Sequence, residues 1–279
     1  LNHANAGKGP DDLVEIPGPG DLALPHNVPA MEYLMLAGGQ FSKSRNHAIW
    51  LPAFLKRFDP DTLRYHLCIN MPENHDTDFN WHDFVEKVNN ELIATYGNFV
   101  HRVLTLGARF SDDVPLSSFD DADYCSEARS KLENIFEQIT DSLSKHRYKE
   151  ALRLVMSAAQ YGNQMLQAAT PWKYLKDTSA AEARDSMIKL AFGWRISRFI
   201  AITSQPFLPF SAQRLWQSLG EQGDVTELAW GQAIDWQCSM KWNDETPVPL
   251  FTRLDLEEIL AQEQDLIEAG GDEDSTLPT

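Results

Sequence analysis

Residues 80–107 read NWHDFVEKVNNELIATYGNFVHRVLTLG, and this stretch decides the fold class. Its apolar residues recur at intervals of three and four, which predicts one long amphipathic helix from an Asn80 N-cap to a stop at Gly107. The apolar seam consists of Phe84, Val88, Leu92, Tyr96, Phe99, Val103 and Leu106. A seam of this length must be covered by other helices, so the stretch predicts a helical bundle.

Other parts of the chain supply the packing partners. Asp59-Pro60 predicts a helix start, with an N-cap aspartate followed by proline at the first helical position. Later helical patterns cover residues 122–143, 147–166 and 180–203 and a last helix that ends at Gly220. Such a series of helices predicts an antiparallel bundle. Residues 1–24 are rich in Gly and Pro, which is typical of a linker or loop.

The composition is that of an ordinary globular protein: 279 residues, of which 43% are hydrophobic, can bury a sizeable core in about two units. No apolar run approaches the roughly 20 residues that a membrane span needs, and no signal peptide is recognisable at the start. Cys68, Cys125 and Cys238 form no CxxC pair, so we predict neither a disulfide framework nor a metal site. We therefore expect a cytoplasmic protein without a membrane or DNA partner.

The formal charge of −17 speaks against a broad nucleic-acid-binding surface, because lysine and arginine dominate phosphate binding. Part of this charge lies in residues 255–279, which hold nine acidic residues and no basic one. We interpret that segment as a solvated helix and frayed tail. Residues 1–254 are still acidic, so any RNA contact must be a local patch.

A possible phosphate-binding loop lies at residues 41–45, Phe-Ser-Lys-Ser-Arg, after two glycines and before a helical pattern. A mobile lysine between two hydroxyls can neutralise charge on pyrophosphate as it leaves an attacked α-phosphate. Ser-Lys-Ser is common in exposed loops, however, and by itself fits a solvated loop better.

The residues around this loop carry a resemblance. Residues 32–46 contain Gly38-Gly39 before the loop, and residues 58–65 begin with Phe-Asp-Pro-Asp. Together these stretches resemble the KMSKS region and the following helices of class I aminoacyl-tRNA synthetases. Within that class they look most like the methionyl-tRNA synthetase family. The resemblance implies that Lys43 contacts the ATP phosphates, while Ser42 and Ser44 shape the loop. Gln40 replaces the first lysine of the motif, so the main electrostatic role falls to Lys43.

A second set of residues could read RNA. Asn98 and Arg102 lie one helical turn apart and off the apolar seam, so their side chains can reach one ligand. Trp172 follows Pro171 at the end of a helical pattern, where its ring could stack on an unpaired base. Alternatively, Asn98 and Arg102 are an ordinary polar pair on a solvated helix face, and the Trp172 ring is buried at the helix junction. In the methionyl-tRNA synthetase family the corresponding Asn, Arg and Trp read the CAU anticodon, so the resemblance implies this role for Asn98, Arg102 and Trp172.

The resemblance runs from about Leu24 to Gly220 and covers only the C-terminal portion of the family. It implies a mainly α fold, with the C-terminal remnant of a nucleotide-binding α/β domain in residues 1–75, an anticodon-binding bundle in 76–254 and an acidic tail in 255–279. Neither the HIGH motif nor the zinc insert of the family occurs in this sequence. We therefore expect that this chain is inactive alone and binds no ATP alone.

In the intact enzyme, the resemblance implies a methionine–tRNA ligase that uses ATP with Mg²⁺, methionine and tRNA(Met). Three alternatives stay open. The chain could be the same region of another class I synthetase, a catalytically silent tRNA-binding module, or a helical scaffold for protein partners. The joint presence of Asn98, Arg102 and Trp172 favours the methionyl family over other class I synthetases.

Overall fold

A computed structural model describes residues 27–110, 123–174, 181–237 and 246–261. By its contacts the chain divides into Leu1–Met31 and Glu32–Thr279, and every helix and strand given below lies in the second unit. The linker expected at residues 1–24 lies outside the described residues.

A small sheet opens the second unit. Its strands are β1 (Leu34–Leu36), β2 (Gly39–Gln40) and β3 (Thr77–Phe79), in the order β2-β1-β3. β1 pairs antiparallel with β2 and parallel with β3. Ala37 and Gly38 connect β1 to β2 with φ angles of 46° and 77°, the positive values that a tight type I′ hairpin turn requires. The sheet therefore holds the start of the possible phosphate-binding loop at residues 41–45, called the lysine loop below, which follows β2 directly.

Two helices cross over from β2 to β3: α1 (Leu51–Leu55) and α2 (Pro60–Ile69). The predicted start of α2 is confirmed, since the Asp59 side chain accepts the Asp61 N–H at 2.8 Å. Below the sheet lies a core of Phe54, Phe79 and Phe84 with neighbouring apolar side chains. Trp81, at the start of the next helix, is 4% exposed in this core.

The long helix predicted for residues 80–107 differs from expectation in two ways. It consists of α3 (Trp81–Glu86), an eleven-residue π-helical segment (Lys87–Gly97) and α4 (Asn98–Phe110). Asn80 caps α3, as predicted, by accepting the Asp83 N–H at 2.9 Å. The predicted stop at Gly107 is wrong, because α4 continues through that residue.

The π-helical segment is marked in the sequence by apolar residues at a uniform interval of four, which the prediction of one regular α-helix did not take into account. Phe84, Val88, Leu92 and Tyr96 follow one another at intervals of four, and all are 0% exposed. On an α-helix each interval of four drifts by about 40°, so a uniform series would leave the core. The wider π turn, with hydrogen bonds to the fifth residue along, rotates less per residue than an α turn, so it offsets this drift and the series stays buried. Phe99 and Val103 on α4 then continue the same buried seam.

The helical bundle is confirmed, and its helices begin and end close to the predicted positions. They are α5 (Asp123–Ser144), α6 (Tyr148–Ala169), α7 (Ala181–Ser204) and α8 (Pro209–Ser218). Their apolar faces form one core with the π-helical segment and α4. Trp194 and Phe199 are the largest side chains of α7 that are fully buried in this core, at 1% and 0% exposure.

Helix α2 is tied to the bundle by polar contacts. Arg64 donates to the backbone oxygens of Phe207 and Pro206, at 2.7 and 3.0 Å. The buried Asp61 carboxylate accepts the Ser211 N–H at 2.5 Å, in the first turn of α8. The crossover helix that follows the lysine loop is therefore joined to α8 and to the residues before it.

The C-terminal segment lies along the π-helical segment. The side-chain amide of Asn89 donates to the Leu254 oxygen at 2.8 Å and accepts its N–H at 2.9 Å, as a neighbouring strand would. Residues 248–251 form neither helix nor strand. The short helix α9 (Leu256–Ala261) exposes its glutamates and buries Ile259 against the aromatic core. The acidic tail beyond residue 261 lies outside the described residues.

In the part of the chain that the structure covers, no helix is long and apolar enough to cross a membrane. Cys68 is a free thiol on α2, and burial raises its pKa.

We predict that Gly162→Ala destabilises the bundle by about 1–3 kcal/mol, the usual range for overpacking a core. A Cβ at Gly162 would lie 2.3 Å from the Phe99 ring, so α4 and α6 would have to separate. Chemical denaturation monitored by circular dichroism measures the loss. Gly231→Ala is the matched control, because a Cβ there meets nothing within 4 Å. Equal stability of the two variants would show that the helices adjust freely.

We also predict that His66 makes the fold acid-sensitive. Burial lowers the pKa of His66 from 6.5 to about 4, with nearby Asp83 opposing the shift. Between these values the unfolded chain binds a proton that the folded chain does not, so stability rises with pH and falls as the pH drops from 6.5 to 4. The difference is on the order of 3 kcal/mol at most. Unfolding free energies of the wild type and His66→Leu, measured across this range, should show a flatter profile for the variant. Parallel profiles would contradict the prediction.

Candidate anticodon interface and lysine loop

The lysine loop is a closed turn on the edge of the small sheet. Ser42 and His47 exchange backbone hydrogen bonds of 2.9 Å in both directions, and Lys43–Arg45 between them form one 3₁₀ turn. Asn46 closes it in the left-handed region at φ 50°. The His47 ring lies 2.8 Å, through Nε2, from the Leu36 oxygen of β1. His47 was not singled out from the sequence, because its role depends on a strand contact eleven residues away.

The side chains of the loop are available to a ligand. Lys43, Ser44 and Arg45 are exposed, and the Ser42 and Ser44 hydroxyls lie 3.3 Å apart. The Lys43 ammonium lies 6.0 Å from the centre of the Trp50 ring, at the outer limit of a cation–π contact. A cation and two hydroxyls on one exposed turn are groups that suit a phosphate.

Trp172, the aromatic residue of the candidate RNA-reading set, lies just after the end of α6. Thr170 leaves the helix in the left-handed region, at φ 46°, and Pro171 then starts a 3₁₀ turn that runs to Tyr174. Ser186 of α7 donates to the Ala169 oxygen at 2.6 Å and so holds the end of α6. This turn carries the half-buried ring of Trp172 to the surface beside α4.

Arg102 and Trp172 meet, although 70 residues separate them in the sequence. The guanidinium carbon lies 5.1 Å from the ring centre, within the range of a cation–π contact. Burial lowers the pKa of Arg102, but an arginine stays charged at neutral pH. The pair therefore presents an aromatic surface and a fan of hydrogen-bond donors side by side.

Asn163 of α6 is a residue that the sequence analysis missed. Its side-chain oxygen lies 3.5 Å from an Arg102 nitrogen, and its amide donates to the Thr95 oxygen at 2.8 Å. No sequence pattern distinguishes Asn163 from other polar residues of the amphipathic helix. Its role follows only from how α6 packs on α4.

Asn98 is exposed at the first position of α4, one turn before Arg102. Its side chain lines a groove of about 240 Å³ that also includes His101, Phe251 and Arg253. Among the described residues no hydrogen bond joins Asn98 to Arg102 or Trp172. The structure thus brings two of the three predicted anticodon residues into contact and places the third one turn away on the same helix.

Two arginines of α7 that could have offered phosphate contacts are buried instead: Arg195 and Arg198 are 5% and 6% exposed. Arg198 donates to Glu221 at 3.1 Å and to the Gln232 oxygen at 2.7 Å. Arg198 thereby joins α7 to the segments that follow α8. Within residues 27–110, 123–174, 181–237 and 246–261, no group of three His, Cys, Asp or Glu side chains could hold a metal ion.

Comparison with known protein families assigns the two halves of the chain separately. Residues 14–104 match the profile described as tRNA synthetases class I (M). Residues 120–255 match that of the anticodon binding domain of methionyl tRNA ligase. The fold is therefore that of a class I aminoacyl-tRNA synthetase with an anticodon-binding domain.

Individual relatives narrow this class. The chain is 37% identical to the methionine–tRNA ligase of Methanopyrus kandleri over 85% of its own length and 35% of the relative. It is 41% identical to that of Dehalococcoides mccartyi over 76% of its length and 38% of the relative. This chain belongs to the methionyl-tRNA synthetase family. It spans about a third of the length of these relatives.

Solved structures agree at the level of fold. The apo methionyl-tRNA synthetase of Mycobacterium tuberculosis superposes with a TM-score of 0.64 at 20% identity, over 73% of this chain and 40% of that one. The same enzyme bound by methionyl-adenylate gives a TM-score of 0.63 at 20% identity, over 78% and 43%.

Proposed function

We propose that this chain is the part of a cytoplasmic methionine–tRNA ligase that reads the CAU anticodon of tRNA(Met) and supplies the lysine loop for methionine activation. The observation that carries the proposal is the stacked Arg102 and Trp172 pair, which lies at the surface of a bundle whose sequence matches a methionyl anticodon-binding domain. Single-stranded RNA is read by this combination of an aromatic platform and hydrogen-bond donors.

At the anticodon, Trp172 stacks on the first base, while Arg102 and Asn98 bind base edges. Arg102 lies over one side of the Trp172 ring, so the incoming base either takes the other side or extends the stack beyond the guanidinium. Asn98, one turn away, adds an amide that can both donate and accept.

At the lysine loop, Lys43 neutralises charge on the ATP phosphates, and the Ser42 and Ser44 hydroxyls orient them. Its exposed position on a closed turn supports this role, because the ammonium can move toward a ligand without breaking a buried contact. ATP enters with Mg²⁺, which shares the phosphate charge when it is bound. Stabilisation of charge that grows as pyrophosphate leaves would accelerate adenylate formation.

The proposal divides the chain into the end of a nucleotide-binding domain (1–75), the anticodon-binding bundle (76–254) and an acidic tail (255–279). Arg64 and Asp61 of α2 link the first two parts through the contacts to α8 and the residues before it. Such a link would fix the distance between the lysine loop and the anticodon surface.

We predict that Trp172→Ala weakens binding of a CAU-containing tRNA(Met) transcript by about 1–3 kcal/mol, the range measured for loss of one stacked base. Equilibrium binding at one fixed low salt concentration, beside a transcript with an altered anticodon, measures both affinity and discrimination. Trp172→Phe keeps an aromatic ring and should retain most of the affinity. Unchanged CAU preference in the alanine variant would refute the anticodon assignment.

We further predict that this chain alone shows no methionine-dependent exchange between ATP and pyrophosphate. The HIGH motif that the reaction needs in this family does not occur in its sequence. Radiolabelled pyrophosphate exchange, with and without methionine, measures the activity. Exchange that depends on methionine and disappears in Lys43→Ala would overturn the prediction and would show that the chain assembles an active site by itself.

A further inference from the structure

The junction between the π-helical segment and α4 suggests a further residue of the anticodon site. At this junction the Asn98 N–H reaches the oxygens of both Ile93 and Thr95, so the backbone changes its hydrogen-bond register where Asn98 begins α4. π-helical turns occur often at functional sites, because they re-aim the side chains that follow them. Here the residues that follow are Asn98 and Arg102.

The register change is braced from the neighbouring helix. Asn163 donates to the Thr95 oxygen at 2.8 Å, and its own oxygen lies 3.5 Å from the Arg102 guanidinium. One amide thereby contacts the carbonyl before the junction and the side chain one turn after it. The first contact fixes the amide, so that its oxygen is held beside the Arg102 guanidinium at the outer limit of a hydrogen bond.

Close packing makes this bridge possible. The Phe99 ring fills the space where a Cβ of Gly162 would be, which brings the backbones of α4 and α6 close together. Asn163 is the next residue after Gly162, so its short side chain reaches α4. Without this close approach, an asparagine could not span from α6 to Thr95.

We propose that Asn163 is a positioning residue that holds Arg102 over Trp172 in the geometry that reads the anticodon. It acts on the RNA only through Arg102. This inference rests on the proposed anticodon function, because it gives Asn163 a purpose only if Arg102 and Trp172 bind a base.

The test measures the affinity of the chain for the CAU transcript and for an anticodon-altered transcript with Asn163→Ala, Arg102→Ala and the double variant. Loss of a single hydrogen-bonding side chain of this kind should lower CAU affinity about three- to tenfold. In the Arg102→Ala background, Asn163→Ala should have no further effect. Asn134→Ala on α5 is the matched control, since Asn134 is exposed and its side chain bonds to Gln138 one turn away on the same helix.

Each outcome decides. If Asn163→Ala lowers CAU affinity as much in the Arg102→Ala background as in the wild type, Asn163 only stabilises the fold and the proposal is overturned. The same conclusion follows if Asn163→Ala weakens binding of both transcripts equally. Full CAU affinity in Asn163→Ala would also overturn the proposal. Thermal unfolding of each variant shows whether the fold is intact. Normal CAU preference in Trp172→Ala would instead refute the anticodon function itself, so the two failures are distinguishable.

Discussion

The contact between the Phe99 ring and the backbone of Gly162 is the constraint on which the candidate site depends. Because the ring fills the space that a Cβ would take, α4 and α6 approach more closely than helices with larger side chains at the contact would. That approach lets Asn163 reach Thr95 and Arg102, and it brings the end of α6, with Trp172, beside α4. The surface pair is thus a consequence of core packing.

The acidic character of the chain fits a local mode of RNA binding. A net charge of −17 gives no general attraction for phosphate, so the proposed RNA binding would depend on a few well-placed groups. Arg102 beside Trp172, and the uncharged amide of Asn98, are groups of that kind. Base stacking and hydrogen bonds to base edges depend on position more than on total charge, and they favour sequence recognition over indiscriminate binding.

Helix α2 connects the region of the small sheet with the helical bundle. It follows the lysine loop in the chain, packs into both cores, and binds α8 and the residues before it through Arg64 and Asp61. The C-terminal segment adds a second connection, since Asn89 binds Leu254 and Ile259 packs in the aromatic core. These contacts make the sheet remnant and the helical bundle one folded unit.

The sequence by itself determined the mainly α bundle, the start of α2 at Asp59-Pro60 and the separate residue groups around Lys43 and around Asn98 and Arg102. Each of these depends on local signals: apolar periodicity, a cap, or side chains within one helical turn. Tertiary structure decided the π-helical segment, the continuation of α4 past Gly107 and the irregular path of residues 248–251. It also decided the meeting of Arg102, Asn163 and Trp172, because these contacts join residues that are far apart in the chain and depend on how closely two helices pack.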